Sequence, residues 1–105
     1  MNKLLLGLFS MGLVFFACSG NESTEKDALA GETVFKQYCI ACHGADGKLG
    51  INNAKDLTAS VMPLKDRIHQ ITEGKAGTAM TPFKSMLSEA EIKQVAAYTM
   101  KLSGK

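Results

Sequence analysis

Apolar positions along this chain form one unbroken run near the N-terminus and three periodic stripes further on. The run, Leu4 to Ala17 (LLLGLFSMGLVFFA), has Ser10 as its one polar side chain. It follows the short basic start Met1-Asn2-Lys3 and falls short of a membrane span, which takes about 20 residues. Those features match the apolar region of an export signal, expected over residues 1–17. The segment that follows, residues 19–27 (SGNESTEKD), holds no large apolar side chain. Burial cannot offset the entropy of ordering such a segment, so a flexible tether over residues 18–27 is expected.

Each stripe has the helical period. Gly31, Val34, Phe35 and Tyr38 recur at i, i+3, i+4 and i+7, which predicts a helix over about 28–42 with Asp27 as its cap. A loop of small and polar residues follows at 44–60 (GADGKLGINNAKDLTAS). Leu64, Ile68 and Ile71 mark a second helix, opened by Pro63 and ended by Gly74. Ile92, Val95, Ala96, Thr99 and Leu102 line a third, which Ser88 and Glu91 begin as a capping box. No stretch alternates as a strand does, and no internal repeat recurs. The expected fold class is all-α, in one domain over residues 28–105.

Composition changes this picture in one respect. Outside the expected signal the aromatic side chains are Phe35, Tyr38, Phe83 and Tyr98, and tryptophan is absent. A domain near 80 residues with long polar loops is marginal on such a core unless something staples it. Charge adds little: the chain carries a formal +2, and Lys3 is the only charge in the signal. No basic block points to nucleic acid, and no acidic tail points to disorder.

The candidate staple is YCIACHG, residues 38–44, with Cys39 and Cys42 three positions apart and His43 directly after. A structural zinc site wants four ligands in a tetrahedral array. The mature chain offers Cys39, Cys42, His43 and the distant His69, and the adjacent Cys42 and His43 sit awkwardly on one zinc ion. A thioredoxin-type dithiol belongs beside a strand in a βαβ pattern, which is missing. A plain Cys39–Cys42 disulfide leaves His43 without a role. Covalent haem attachment accounts for all five positions of Cys-x-x-Cys-His: the thiols add to the two vinyl groups, and the histidine becomes an axial ligand of iron.

From Gly31 to Leu102 the chain resembles the small single-haem class I cytochromes c of bacteria. The resemblance is carried by GETVFKQYCIACHGADG (31–47) and AMTPFKSMLSEAEIKQVAAYTMKL (79–102). It implies that fold, with about three main helices and long loops around one haem c and its iron. It implies covalent attachment through Cys39 and Cys42, with His43 and Met80 as the axial ligands. Thr81 interrupts the Met-Pro that usually marks the second ligand. Met62 carries the intact dipeptide but follows His43 by only 19 residues. Met86 precedes the capping box, Met100 flanks the last stripe, and His69 lies beside the second stripe as a solvated edge residue. The family often has a proline after the attachment motif whose carbonyl accepts from the histidine. The matching stretch here, NNAKDL (52–57), has none, so another backbone carbonyl in it is expected to serve.

The function implied is one-electron transfer between respiratory or other redox proteins, without catalysis, a small-molecule substrate or nucleic acid. The alternative is a haem sensor or peroxidase-like enzyme with a displaceable sixth ligand, for which no distal polar group stands out. Finally, FFACSG (15–20) resembles the lipobox of bacterial lipoproteins, with Phe15 in place of the usual leucine. It implies lipidation of Cys18 and a periplasm-facing or cell-surface membrane anchorage. Cys18→Ser is then expected to move the protein from the membrane to the soluble fraction on cell fractionation. Unchanged membrane association would contradict the anchor.

Overall fold

The computed structural model describes Gly12 and residues 21–104. The expected signal, Cys18 and the start of the expected tether therefore lie outside the described residues. Within them the chain forms α1 (Asn21–Tyr38), α2 (Ile40–His43), α3 (Leu64–Glu73) and α4 (Glu89–Leu102), with short 3-10 turns at Ile51–Asn53 and Phe83–Ser85. The described residues contain no strand, and the fold is all-α, with long loops between helices.

Helix α1 begins earlier than its apolar stripe. Residues 21–27, expected as tether, are helical, and Asp27 is an interior residue rather than the cap. Two physical reasons account for the difference. Extending a nucleated helix adds one hydrogen bond per residue fixed, so polar helix formers such as Glu25 and Lys26 continue it at little cost. The Asp27 carboxylate also accepts from Gln94 Nε2 of α4 at 3.0 Å, a tertiary contact no local pattern encodes. At its other end α1 stops at Tyr38. Cys39 interrupts the helix, although its N–H still donates to Phe35 O at 2.9 Å and its carbonyl accepts from His43 N–H at 3.0 Å.

The core lies where α1 and α3 each pack against α4. Its buried apolar side chains are Val34, Phe35, Ile71, Phe83, Leu87, Ile92, Val95 and Ala96. The close approach of α1 to α4 depends on Gly31: a Cβ there would lie 2.3 Å from Gln94 O. Beside this crossing the Phe35 and Tyr98 rings pack with centroids 5.2 Å apart, and Tyr38 meets Phe83 edge-on at 6.3 Å. Tyr38 is thus a rim residue, exposed to 39%. Helix α4 opens with the expected capping box. Glu91 N–H donates to Ser88 Oγ at 3.1 Å, and Ser88 N–H donates to Glu91 Oε1 at 2.9 Å.

Helix α3 has Pro63 at its start and Gly74 at its end, as expected, but it buries a rotated face. Ile71 and Arg67 point inward, Ile68 is half-buried, and Leu64 is exposed. The guanidinium of Arg67 replaces solvent with four bonds: Nε to Met62 O at 2.9 Å, Nη1 to Thr99 Oγ1 at 3.1 Å, and Nη2 to Ser60 O and Ser103 Oγ at 3.1 Å each. A planar fork of donors can clamp several acceptors at once, and here it ties residues 60–62 to the end of α4. Burial lowers the Arg67 pKa, yet arginine starts too high to lose its proton.

Gly31→Ala should destabilise the folded protein by about 1–3 kcal/mol, the usual cost of forcing an atom into a packed contact. Thermal unfolding followed by circular dichroism would show a clear drop in midpoint, while an unchanged midpoint would mean that the helices do not meet at Gly31.

Candidate haem-attachment site

The break after α1 turns three reactive side chains onto one short helix. Cys39 precedes α2, and Cys42 and His43 end it. Gly44 then adopts φ 76 and ψ 163, which no residue with a side chain adopts readily. This turn returns the chain so that Leu49 N–H donates to His43 O at 2.9 Å. Both thiols are free, and neither is fully buried. Burial, with a smaller contribution from the neighbouring Cys42, pushes the Cys39 thiol up to about 11.

The position of His43 is set by the loop at 44–60. Its Nδ1 lies 3.0 Å from Lys55 O. A carbonyl only accepts, so Nδ1 donates, and in the neutral imidazole this leaves the lone pair on Nε2. The loop holds that carbonyl firmly. Leu57 N–H donates to Gly47 O at 2.9 Å. The Asp56 carboxylate accepts from Thr58 Oγ1 at 2.6 Å and Thr58 N–H at 2.9 Å, and these bonds hold its pKa below the ordinary carboxylate value. The carbonyl expected somewhere in residues 52–57 is therefore that of Lys55. In the same loop Asn52 and Asn53 both have positive φ, 54° and 61°, and Asn52 Nδ2 approaches Cys42 Sγ at 3.9 Å.

The other candidates lie elsewhere on the chain. Met80 is half-buried in the loop between Gly74 and Phe83 and packs against the same core cluster as Cys39. Met62 and Met86 are exposed, Met100 is a half-buried residue of α4, and His69 is exposed on α3. The inward Arg67 was missed in the apolar stripe, although its i, i+4 relation to Ile71 was there to be read. Among the described residues no helix is long and apolar enough to cross a membrane. The same residues contain no cluster of three or more His, Cys, Asp or Glu able to hold a metal ion.

These residues fit a covalent haem. Two thiols outside any disulfide precede a histidine whose ring is oriented by a fixed carbonyl, as iron-ligating imidazoles usually are. Beside them Leu49 and Ile51 are about half exposed, at 54% and 47%, on the loop that folds back onto α2. They offer apolar surface to a flat hydrophobic group at the attachment motif.

Fold and site together define a small single-haem class I cytochrome c-like domain. Residues 26–98 match the family described as cytochrome C oxidase, cbb3-type, subunit III, and the chain belongs to that family. It is 40% identical over 105 residues to cytochrome c6 of Rippkaea orientalis, covering 93% of this chain and 92% of that protein. It is 34% identical over 97 residues to the cbb3-type cytochrome c oxidase subunit CcoP of Rhodobacter capsulatus, covering 82% of this chain but 33% of that longer protein. Cytochrome c4 of Pseudomonas aeruginosa is 34% identical over 100 residues, with 93% of this chain and 47% of the relative covered. No solved structure matches the chain at a significant level.

If the haem supplies much of the core, a Cys39→Ala, Cys42→Ala double variant made without haem should lose most of its helix content and its cooperative melt. Native-like circular dichroism with a sharp transition in that variant would show that the polypeptide folds without the cofactor.

Proposed function

We propose that this protein carries single electrons through a haem bound covalently to Cys39 and Cys42, with His43 and Met80 on the two sides of the iron. The observation that carries this reading is the hydrogen bond from His43 Nδ1 to Lys55 O at 3.0 Å. It fixes the ring, sets the tautomer and leaves Nε2 for the metal.

The haem supplies a reversible one-electron couple, and the polypeptide tunes and protects it. Lys55 O raises the electron density of the imidazole. A thioether ligand is soft and favours reduced iron, raising the potential. Met80 suits that role better than its rivals, because it is half-buried against the core cluster that Cys39 also joins. Met62 and Met86 are exposed, and Met62 sits in the segment clamped by Arg67. Two fixed ligands keep the geometry nearly the same in both oxidation states, so little reorganisation accompanies transfer.

Its partners are proteins of redox complexes, met through small, short-lived contacts that suit repeated exchange. The family and the CcoP relative support a respiratory, periplasmic or membrane-associated setting. Acylated Cys18 would hold the domain at the bilayer surface.

Met80→Ala should abolish the long-wavelength sulfur-to-iron band of the oxidised protein. It should also open the reduced protein to carbon monoxide and lower the potential. Met62→Leu, Met86→Leu and His69→Ala should leave the band intact. Loss of the band in the Met62 variant alone would move the ligand there. A spectrum that changes only on replacing His69 would make the iron bis-histidine. Rapid carbon monoxide binding by the unmutated protein would mark a displaceable sixth ligand and a sensor or enzyme.

A further inference from the structure

Helix α3 ends where the Met80 loop begins, and the two main chains touch there. Gly74 has φ 67 and ψ −165, a region open essentially to glycine alone. A Cβ placed on it would lie 2.6 Å from Met80 O, the Thr81 carbonyl carbon and the Pro82 nitrogen. All three are main-chain atoms, so no change of rotamer relieves the overlap. Around this contact the Met80 backbone is engaged at both polar groups. Lys75 N–H donates to Met80 O at 2.9 Å, and Met80 N–H donates to Thr78 Oγ1 at 3.2 Å. On the α3 side Gln70 Nε2 donates to Gly74 O at 2.7 Å.

We propose that Gly74 is a positioning residue for the Met80 sulfur. It lets the end of α3 lie directly on the Met80–Pro82 main chain, and that contact sets where the Met80 side chain starts. The inference rests on Met80 as the axial ligand. A side chain at position 74 pushes residues 80–82 away from α3, and the Lys75–Met80 bond cannot be kept unchanged while they move. The helix transmits this constraint, because α3 is itself latched to α4 through Arg67 and Thr99. A ligand loop held in this way resists displacement of the sulfur by an outside ligand, a property a stability measurement alone does not report.

The test compares two holoproteins, Gly74→Ala and Gly77→Ala. Gly77 also has positive φ, 75°, and lies in the same loop, but a Cβ there meets nothing within 4 Å. The readouts are the sulfur-to-iron band of the oxidised form, carbon monoxide affinity of the reduced form, and the potential. Gly74→Ala should weaken the band, lower the potential and tighten carbon monoxide binding about tenfold, a typical consequence of a forced packing clash. Gly77→Ala carries the strain of a positive φ without the main-chain overlap, so it should shift all three readouts clearly less than Gly74→Ala does. Equal behaviour of the two variants overturns the inference. If Gly74→Ala yields no folded holoprotein, Gln70→Leu decides: it removes the bond that holds Gly74 O and adds no Cβ at the contact. A smaller shift in the same direction supports the inference, and unaltered carbon monoxide affinity overturns it. A missing band in the unmutated protein would overturn the Met80 assignment and this inference together, whereas a normal band with no effect at position 74 overturns only the latter.

Discussion

Among the described residues, a core of eight buried apolar side chains has to hold two long loops as well as three helices. That shortage is the constraint on which the rest of the structure depends. The buried side chains come from α1, α3, α4 and the segment just before α4, whereas the loop at 44–60 adds only the half-buried Leu57 to the cluster. Ordering a loop costs about 1–2 kcal/mol of backbone entropy per residue, and small domains have little apolar burial to set against it. The fold meets the cost with specific devices. Glycine allows main-chain contact at Gly31 and Gly74, Arg67 gathers four acceptors, and the Asp56–Thr58 turn and the Leu57–Gly47 bond stiffen the loop facing His43. A covalent haem at Cys39 and Cys42 would supply the missing apolar interior, so in this account one group serves both as redox centre and as structural member.

Stability and electron transfer then impose the same requirement. A carrier works best when its metal ligands hold still as the charge changes. The residues that stiffen the loops are also those that would fix the two proposed ligands: Lys55 O orients His43, and the end of α3 abuts the Met80 main chain. The helices matter to function mainly through the loops they support. The α1–α4 crossing at Gly31 and the Arg67 latch, which holds the end of the 44–60 loop at Ser60, belong to the frame on which the loops are mounted.

What was legible in the sequence was local. The capping box of α4, its apolar stripe, the Pro63 and Gly74 limits of α3 and the Cys-x-x-Cys-His cluster are all encoded by residue types at short fixed spacings. What escaped was set by contacts between distant segments. The start of α1 moved to Asn21, with Asp27 meeting Gln94 across the helix pair. The inward face of α3 rotated because Arg67 found four acceptors, two of them, Thr99 and Ser103, far along the chain. The carbonyl facing His43 could be placed in a six-residue stretch but not assigned to Lys55. Every residue carries a carbonyl, and only the path of the loop decides which one arrives. Glycine at position 74 read as a helix stop, and its second role emerges only from the main chain packed against it.

The central claim is that the iron is held between an imidazole and a thioether, both positioned by the loops. X-ray absorption at the iron edge, recorded on the reduced full-length protein, tests it most directly. The account predicts one sulfur neighbour among the atoms bound to iron, the remainder being porphyrin and imidazole nitrogens. A coordination sphere of nitrogens alone, or one with a vacant position, would contradict it.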